Sequence, residues 1–305
     1  MFRWVVIGAA GYTLFMLALV AFSVADGSAE AFSIEGLNFF GKTDWNPVEG
    51  RESYGALPYV IGTLVSSGIA MVIGVPISLG IAIFISEIAS KRIGTPIAFV
   101  VEILAAVPSI IYGLWALFVF RNISRDFIER PLYEAFGGAI PFFAKTPFGL
   151  DVFTAGIVLG IMIIPIISSI SREIIKAVPR SQREAAYSLG ATRWETVRSV
   201  VIPYAKSGLL GASILGLGRA MGETIVVMMI IGNTTGLAAI PTTLFSSSQT
   251  LSSVIANEFN EAATTFHSSA LIALGGILFL LTIAINIGAQ VLVSRMVKTN
   301  PGARE

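Results

Sequence analysis

The chain has 305 residues, 54% of them hydrophobic and only 13% charged, with a net charge of +1 and a mean hydropathy of +0.80. Soluble domains carry about a quarter charged residues, so the composition excludes that class and points to an all-α polytopic protein embedded in a lipid bilayer. There is no Cys, which excludes disulfides, thiol nucleophiles and zinc–thiolate centres, and no cofactor, metal or nucleic-acid partner is expected.

In chain order, the first apolar run is Val5–Val24. It is longer than the about 7–15-residue core of a signal peptide, so it reads as a retained anchor, although Ser23–Ala25 resembles a small-residue cleavage site. Then comes "GLNFFGKT", Gly36–Thr43, which spells the P-loop pattern G-x-x-x-x-G-K-[ST] without a mismatch. A working P-loop joins a buried strand to a helix. Here no buried strand precedes the octapeptide, and "TDWNPVEG", with Pro47, follows where a helix should open.

The next runs, Leu57–Ile85 and Ile93–Phe120, exceed the about 20 residues that cross the hydrocarbon. They carry Pro76 and Pro108, where tilt or kinks are expected. Glu102 lies nine residues past Ile93, roughly 14 Å along a helix. It can be protonated, paired, drawn to the inner interface or turned toward a pathway. A fourth span is expected at Val152–Ile170.

The loop that follows is densely punctuated. "SQRE", Ser181–Glu184, reads as a capping box in which Ser181 caps the helix and Glu184 reaches back. That helix should stop at Gly190. "TRWE", Thr192–Glu195, reads as a second capping box, opening a helix that should end before Pro203. Arg180, Arg183, Arg193 and Arg198 hold the loop in water, while Tyr187, Leu189 and Trp194 offer something to bury. Two readings stand: an amphipathic segment resting on the membrane surface, or a docking element for a soluble partner.

The fifth span, Leu209–Ile231, contains "GLGRAMGET". Arg219 and Glu223 stand four residues apart on one helix face, within reach of an ion pair. At mid-membrane each would cost about 2.5–3.5 kcal/mol, so neither should face lipid. Gly218 and Gly222 would let a neighbouring helix approach closely. The pair reads either as self-neutralised packing glue or as an anion-greeting Arg219 oriented by Glu223, since a guanidinium fork suits a tetrahedral oxyanion. The sixth span is Ala270–Val293, and the single His, His267, is expected in solvent just before it.

With the N-terminus placed inside, thirteen of the twenty Lys and Arg residues fall on the inner side, six on the outer side and Arg219 within a span. The positive-inside rule therefore predicts a multi-pass protein of the cytoplasmic membrane with both termini cytoplasmic. Gly36–Thr43 then lies outside, away from cytoplasmic ATP, and reads as a chance match with no ATP binding. The outer segments carry twelve Asp or Glu against six Lys or Arg, a poor field for drawing an anion from bulk.

Against these residues a resemblance becomes specific. "EAAYSLGATRWETVRSVVIP", Glu184–Pro203, resembles the EAA loop of ABC importer permeases, with Glu184, Ala185, Ala186, Gly190 and Pro203 at the family spacing and Trp194 beside them. "RAMGE" resembles the R-A-x-G-E element of oxyanion permeases, including those for sulfate and molybdate. Together with "WNPV" at Trp45–Val48, "GALPYVIGTL" at Gly55–Leu64, "VPISLGIAIFISE" at Val75–Glu87 and "PSIIYGLWALFVF" at Pro108–Phe120, the chain resembles the PstC-type permeases of phosphate ABC importers. Sulfate-type permeases tend to follow the Glu with Phe-Gly, where this chain has Thr224–Ile225, which favours phosphate.

The resemblance implies a six-span type I ABC importer permease and no enzyme activity of its own. Its organisation would be an N-terminal helix and outer segment over 1–56, a permease core over 57–294 with the coupling loop at 173–203, and a cytoplasmic tail over 295–305. It implies a PstA-like permease as heterodimer partner, two ATP-binding subunits gripping the loop from the cytoplasm, and a phosphate-binding protein outside. Arg219, Glu223 and Glu102 are the expected pathway residues, and Glu184, Ala185, Ala186, Gly190 and Trp194 the coupling residues. Rival functions are import of another oxyanion, an ion-coupled carrier relaying protons through Glu102 or Glu223, and a non-transporting phosphate sensor. A carrier would not need the EAA loop.

Overall fold

The structure, a computed structural model, describes residues 2–298. The N-terminal helix α1 (Phe2–Gly27) leads to two short helices, α2 (Ala29–Glu35) and α3 (Asn38–Gly41), and to a minimal hairpin of β1 (Trp45–Asn46) against β2 (Ser53–Tyr54). Helix α4 (Leu57–Ile83) continues into a π-helical turn at Phe84–Ile88. Next come α5 (Lys91–Ala106), α6 (Ser109–Trp115), α7 (Arg121–Ile123) and α8 (Arg130–Phe136), the last three joined by π turns. Helix α9 (Val152–Lys176) precedes the loop helices α10 (Arg180–Ser188) and α11 (Arg193–Thr196). The chain closes with α12 (Ile202–Met221), α13 (Ile225–Ile230), α14 (Leu251–Glu258) and α15 (Thr265–Lys298). The tail assigned to 295–305 lies outside the described residues from position 299 onward.

Among the described residues five helices are long and apolar enough to cross a membrane, and a sixth crossing exists only if the α5–α6 pair counts as one broken span. That pair is bent by 93° at Val107–Pro108, the place where a kink is expected from the sequence, and the bend breaks the span in two. Pro108 forces the preceding residue out of helical geometry, and Val107 is accordingly extended, with ψ of 126°. Pro76, by contrast, sits inside a continuous α4.

The bundle is built on glycine. Gly156 and Gly160 of α9 lie against Ile69, Ser66 and Ala70 of α4, and Gly74 of α4 receives Ile163. Between α9 and α12, Gly208 receives Ile174 and Gly216 receives Ile167. Lipid tails are as apolar as side chains, so helices associate in a membrane by such close packing rather than by apolar burial. The result is a core of Ala70, Ala155, Leu159, Ile163, Ile167, Ala212 and Val227 running through α4, α9, α12 and α13.

Two boundaries differ from the sequence reading. The helix that opens at Arg193 does not stop before Pro203 but runs on to Met221. A π turn at Val197–Val201 precedes the proline, and the wider turn accommodates its ring and missing N–H. The expected fifth span also ends early, at Met221 rather than Ile231. Gly222 is a poor helix former, and the Thr224 hydroxyl donates back to the Gly222 carbonyl at 3.3 Å, competing with the helix ladder.

His267 is corrected as well. It is buried inside α15, pairs with Glu258 at 3.0 Å, and stacks on Tyr54. Trp45 donates to the same carboxylate at 2.8 Å, so the β1–β2 hairpin is tied to α14 and α15 through one acid. Gly36–Thr43 is preceded by helix α2 rather than a strand, and the Lys42 ammonium is held by Glu35 at 2.7 Å.

Candidate coupling loop and substrate pathway

The loop after α9 is two helices joined by a left-handed glycine. Gly190 has φ of +85°. Its N–H donates to the Tyr187 carbonyl at 2.9 Å, and the Ala191 N–H donates to the Ala186 carbonyl at 3.1 Å. This is the Schellman pattern, and a residue with a Cβ is strained there even though space is open. At Thr192 the capping box is complete, Glu195 accepting from the Thr192 N–H at 2.7 Å while Thr192 accepts from the Glu195 N–H. The box expected at "SQRE" is absent: Pro179 occupies the N-cap of α10 with no side-chain bond, and Ser181 already lies within the helix. Glu184 and Ala185 are therefore exposed with no capping duty, and Ala186 alone is buried. Leu189 is 89% exposed and Trp194 56%, so the loop ends as an apolar tip on a cationic stem.

Arg219 and Glu223 meet at the broken end of α12. One guanidinium nitrogen lies 3.5 Å from the Glu223 carboxylate, whose side chain is 6% exposed against 48% for Arg219. The acid is anchored from behind by the Ser252 hydroxyl, which donates to the Glu223 carbonyl at 2.9 Å. Gly218 faces open space and Gly222 meets only the Gly218 carbonyl of its own turn at 3.5 Å, so neither receives another helix of this chain. The arrangement is a half-open cation beside a buried anion, on a face this chain leaves uncovered.

Glu102 stands apart from that pair. It bonds Arg172 of α9 at 2.9 Å and lines a cleft of about 570 Å³ with Lys91, Lys176 and Arg193 near the loop. Gly208 of α12 packs on Ile174 and Gly216 on Ile167, so Arg219 lies on the order of 13 Å further along the bundle than Arg172. Of the residues expected to share a pathway, Arg219 and Glu223 come together and Glu102 joins the loop end.

Two polar clusters escaped the sequence reading. Behind Glu223, "SSSQTLSS" at Ser246–Ser253 folds into the bundle with Ser248, Gln249, Thr250 and Ser253 buried, against Gly62 and Thr63 of α4. The Thr63 hydroxyl accepts from the Leu251 N–H at 3.0 Å. The second cluster lies at the mouth of α9. Asp151 caps the helix through the Thr154 N–H at 2.8 Å, and Glu129 accepts from Ser124 at 2.7 Å and from the Thr154 hydroxyl. Both carboxyls are fully buried and each keeps one oxygen without a protein partner. Burial, with the neighbouring Glu129 charge, pushes the Asp151 carboxyl up to about 7. A run of small hydroxyl residues was the only available signal for the first cluster. Nothing local signalled the second, whose acids are distant in sequence.

Comparison with known proteins agrees with this architecture. The family described as "Binding-protein-dependent transport system inner membrane component" matches residues 74–298. The phosphate transport system permease protein PstC of Pasteurella multocida is 45% identical over 94% of this chain and 89% of its own length. Its namesake from Haemophilus influenzae is 46% identical over 93% and 89%, and that from Xylella fastidiosa 42% over 97% and 90%. Among solved structures, a bacterial alginate ABC transporter in complex with a periplasmic protein superimposes with a TM-score of 0.63 at 17% identity, covering 97% of this chain and 96% of that one. An inward-facing MetNI methionine ABC transporter gives 0.54 at 18% identity, covering 79% and 94%. At such identities the last two speak for the fold alone. From the matched length and the relatives together, the chain belongs to the family of binding-protein-dependent transport system inner membrane components, as a PstC-type permease.

Proposed function

We propose that this chain is one half of the membrane pathway of an ATP-driven importer of inorganic phosphate, with Arg219 as its anion-recognising residue. The observation that carries the site assignment is the half-open guanidinium at the broken end of α12, on a face bare of this chain's own helices. A phosphate anion entering low dielectric needs a fixed counter-charge, and an Arg fork supplies charge and paired donors together. Glu223 holds that fork when no anion is present, and the hydroxyl-rich Ser246–Ser253 segment backs it.

A PstA-like permease covers the open Gly218–Gly222 face and completes the pathway. Both termini and the Glu184–Trp194 loop lie in the cytoplasm, where two ATP-binding subunits receive the loop through Leu189 and Trp194. A phosphate-loaded binding protein docks on the opposite side. ATP binding moves the loops, and the spans then alternate access around Arg219. Hydrolysis belongs to the partner chains.

The test is uptake of labelled phosphate by vesicles holding the complete complex. Uptake should require ATP and the binding protein, and excess sulfate or molybdate should not compete. Uptake that survives ATP depletion and collapses with the proton gradient would overturn this reading in favour of an ion-coupled carrier. Regulatory signalling without any uptake would make the protein a sensor.

A further inference from the structure

Arg183 belongs to α10, yet its guanidinium reaches three acceptors in two other parts of the chain. It donates to the carbonyl of Val178, just past the end of α9, and, at 2.8 Å, to that of Ile175 in the last turn of α9. The Ile175 carbonyl also accepts from the Val178 N–H at 3.2 Å, and this end of the helix carries its negative pole, so a cation there is favourable. The same nitrogen that reaches Ile175 also donates at 2.7 Å to Glu87, 96 residues away in sequence, in the π turn that prolongs α4. Both side chains are mostly enclosed, at 16% and 10% exposure, by an apolar cluster of Ala82, Ile175, Val178 and Val201 with Leu79 and Ile83. Arg193, from the second loop helix, reaches the neighbouring Ile88 carbonyl at 3.4 Å.

The far part of α4 carries Thr63 into the hydroxyl cluster behind Glu223. Residues 63 and 87 are therefore opposite ends of one continuous helical rod of roughly 36 Å. One end is held by the loop and the other touches the shell of the proposed anion site. A π turn is a locally wider, less regular turn, and here it stands where the rod meets the loop.

We infer that Glu87 and Arg183 are positioning residues for transport, the ion pair through which displacement of the loop is delivered to α4 and along it to the Arg219 region. The inference rests on the reading of the loop as the ATPase handle. Neither residue touches substrate. The pair is not equivalent to a cap on α9, which needs Arg183 alone and leaves Glu87 without a role.

The decisive measurements use the complete reconstituted transporter. Glu87→Gln keeps shape and removes charge. It should lower phosphate uptake and binding-protein-stimulated ATP hydrolysis roughly tenfold, while basal hydrolysis and co-purification of the ATPase stay at native levels. Glu87→Ala and Arg183→Ala should be non-additive, the double variant being no worse than the poorer single one. This chain has no Cys of its own, so Glu87→Cys with Arg183→Cys can be bridged by a short bifunctional thiol reagent. Bridging should restore stimulated hydrolysis that the unbridged protein lacks, which a merely structural pair would not do.

Native stimulation in both Glu87 variants, or full additivity, overturns the inference. If alanine variants fail to assemble, Glu87→Gln and the bridged pair decide. Gly190→Val and Trp194→Ala separate the two levels. Should they uncouple the ATPase while the Glu87 variants do not, the link to α4 falls and the handle stands. Should they leave docking and stimulation intact, the handle reading falls and takes this link with it.

Discussion

The two ends of the bundle handle polar groups in opposite ways. At the loop end, charge meets opposite charge or a backbone carbonyl: Arg183 with Glu87, Arg172 with Glu102, Lys176 with Glu173 at 3.0 Å. At the far end the buried polar groups are hydroxyls, an amide and acids, and Asp151, Glu129, Ser67 and Gln249 each retain an atom without a protein partner, whereas at the loop end the atoms so left are the hydroxyls of Ser86 and Ser171 and no carboxylate. Paired charges rigidify what they join, whereas a buried acid with an unsatisfied oxygen is costly to keep and is retained where something else completes it. On the function proposed above, the loop end transmits a displacement and the far end accepts a ligand, a proton or a second subunit.

The strongest way to break this comparison is at Arg219, where charge should be indispensable. Arg219→Ala is expected to abolish phosphate uptake, and Arg219→Lys to impair it by losing the fork, with membrane insertion and ATPase docking retained. Replacing both Arg219 and Glu223 by neutral residues of similar size separates recognition from packing. Recovered uptake in that double variant would reduce the pair to packing glue.

Next in size is the loop turn. Gly190→Val places a β-branched residue at φ of +85°, a strain of about 1–2 kcal/mol or more. Docking of the ATPase should weaken, or its hydrolysis should stop responding to the loaded binding protein. Transport of native rate in this variant would show that the turn is not used for coupling.

At the far end the acid pair should make stability depend on pH. Asp151 is raised in the folded protein from about 3.8 to about 7 by burial and by Glu129. The stabilisation of its protonated form is therefore complete below about 3.8 and is lost as the pH rises through about 7. Thermal unfolding of the purified complex should occur at progressively lower temperature from pH 5 to pH 8. Asp151→Asn can still cap α9 and should flatten that profile; an unchanged slope would remove Asp151 as its source.

The smallest effect is expected at Lys42. Its ammonium is engaged by Glu35 near the surface, a pair worth about 0–1 kcal/mol. Lys42→Ala should leave ATP hydrolysis by the complex, and nucleotide binding by this chain, at the wild-type level. Specific ATP binding that vanishes in the variant would overturn the outer placement of Gly36–Thr43.

What could be read from the chain alone was whatever depends on near neighbours. Apolar runs announce spans because the hydrocarbon demands a fixed length. "TRWE" announces a capping box because its partners are three residues apart, and Gly190 a left-handed turn because only glycine adopts one freely. The Arg219–Glu223 pair was legible for the same reason, at one helical turn. The same local rules misled where another contact could take over. "SQRE" forms no box because Pro179 already opens α10, and Pro203 ends nothing because a π turn widens ahead of it.

Tertiary structure alone decided everything that joins distant segments. It put His267 against Tyr54 and Glu258 instead of in solvent, gave Glu102 to Arg172, and brought Glu129 to Asp151 and Glu87 to Arg183. A buried charge or ring must be paired or stacked somewhere, but composition does not say with whom. The partner is chosen by which helices the glycine grooves of α4, α9 and α12 allow to approach, and that choice exists only once the bundle has packed.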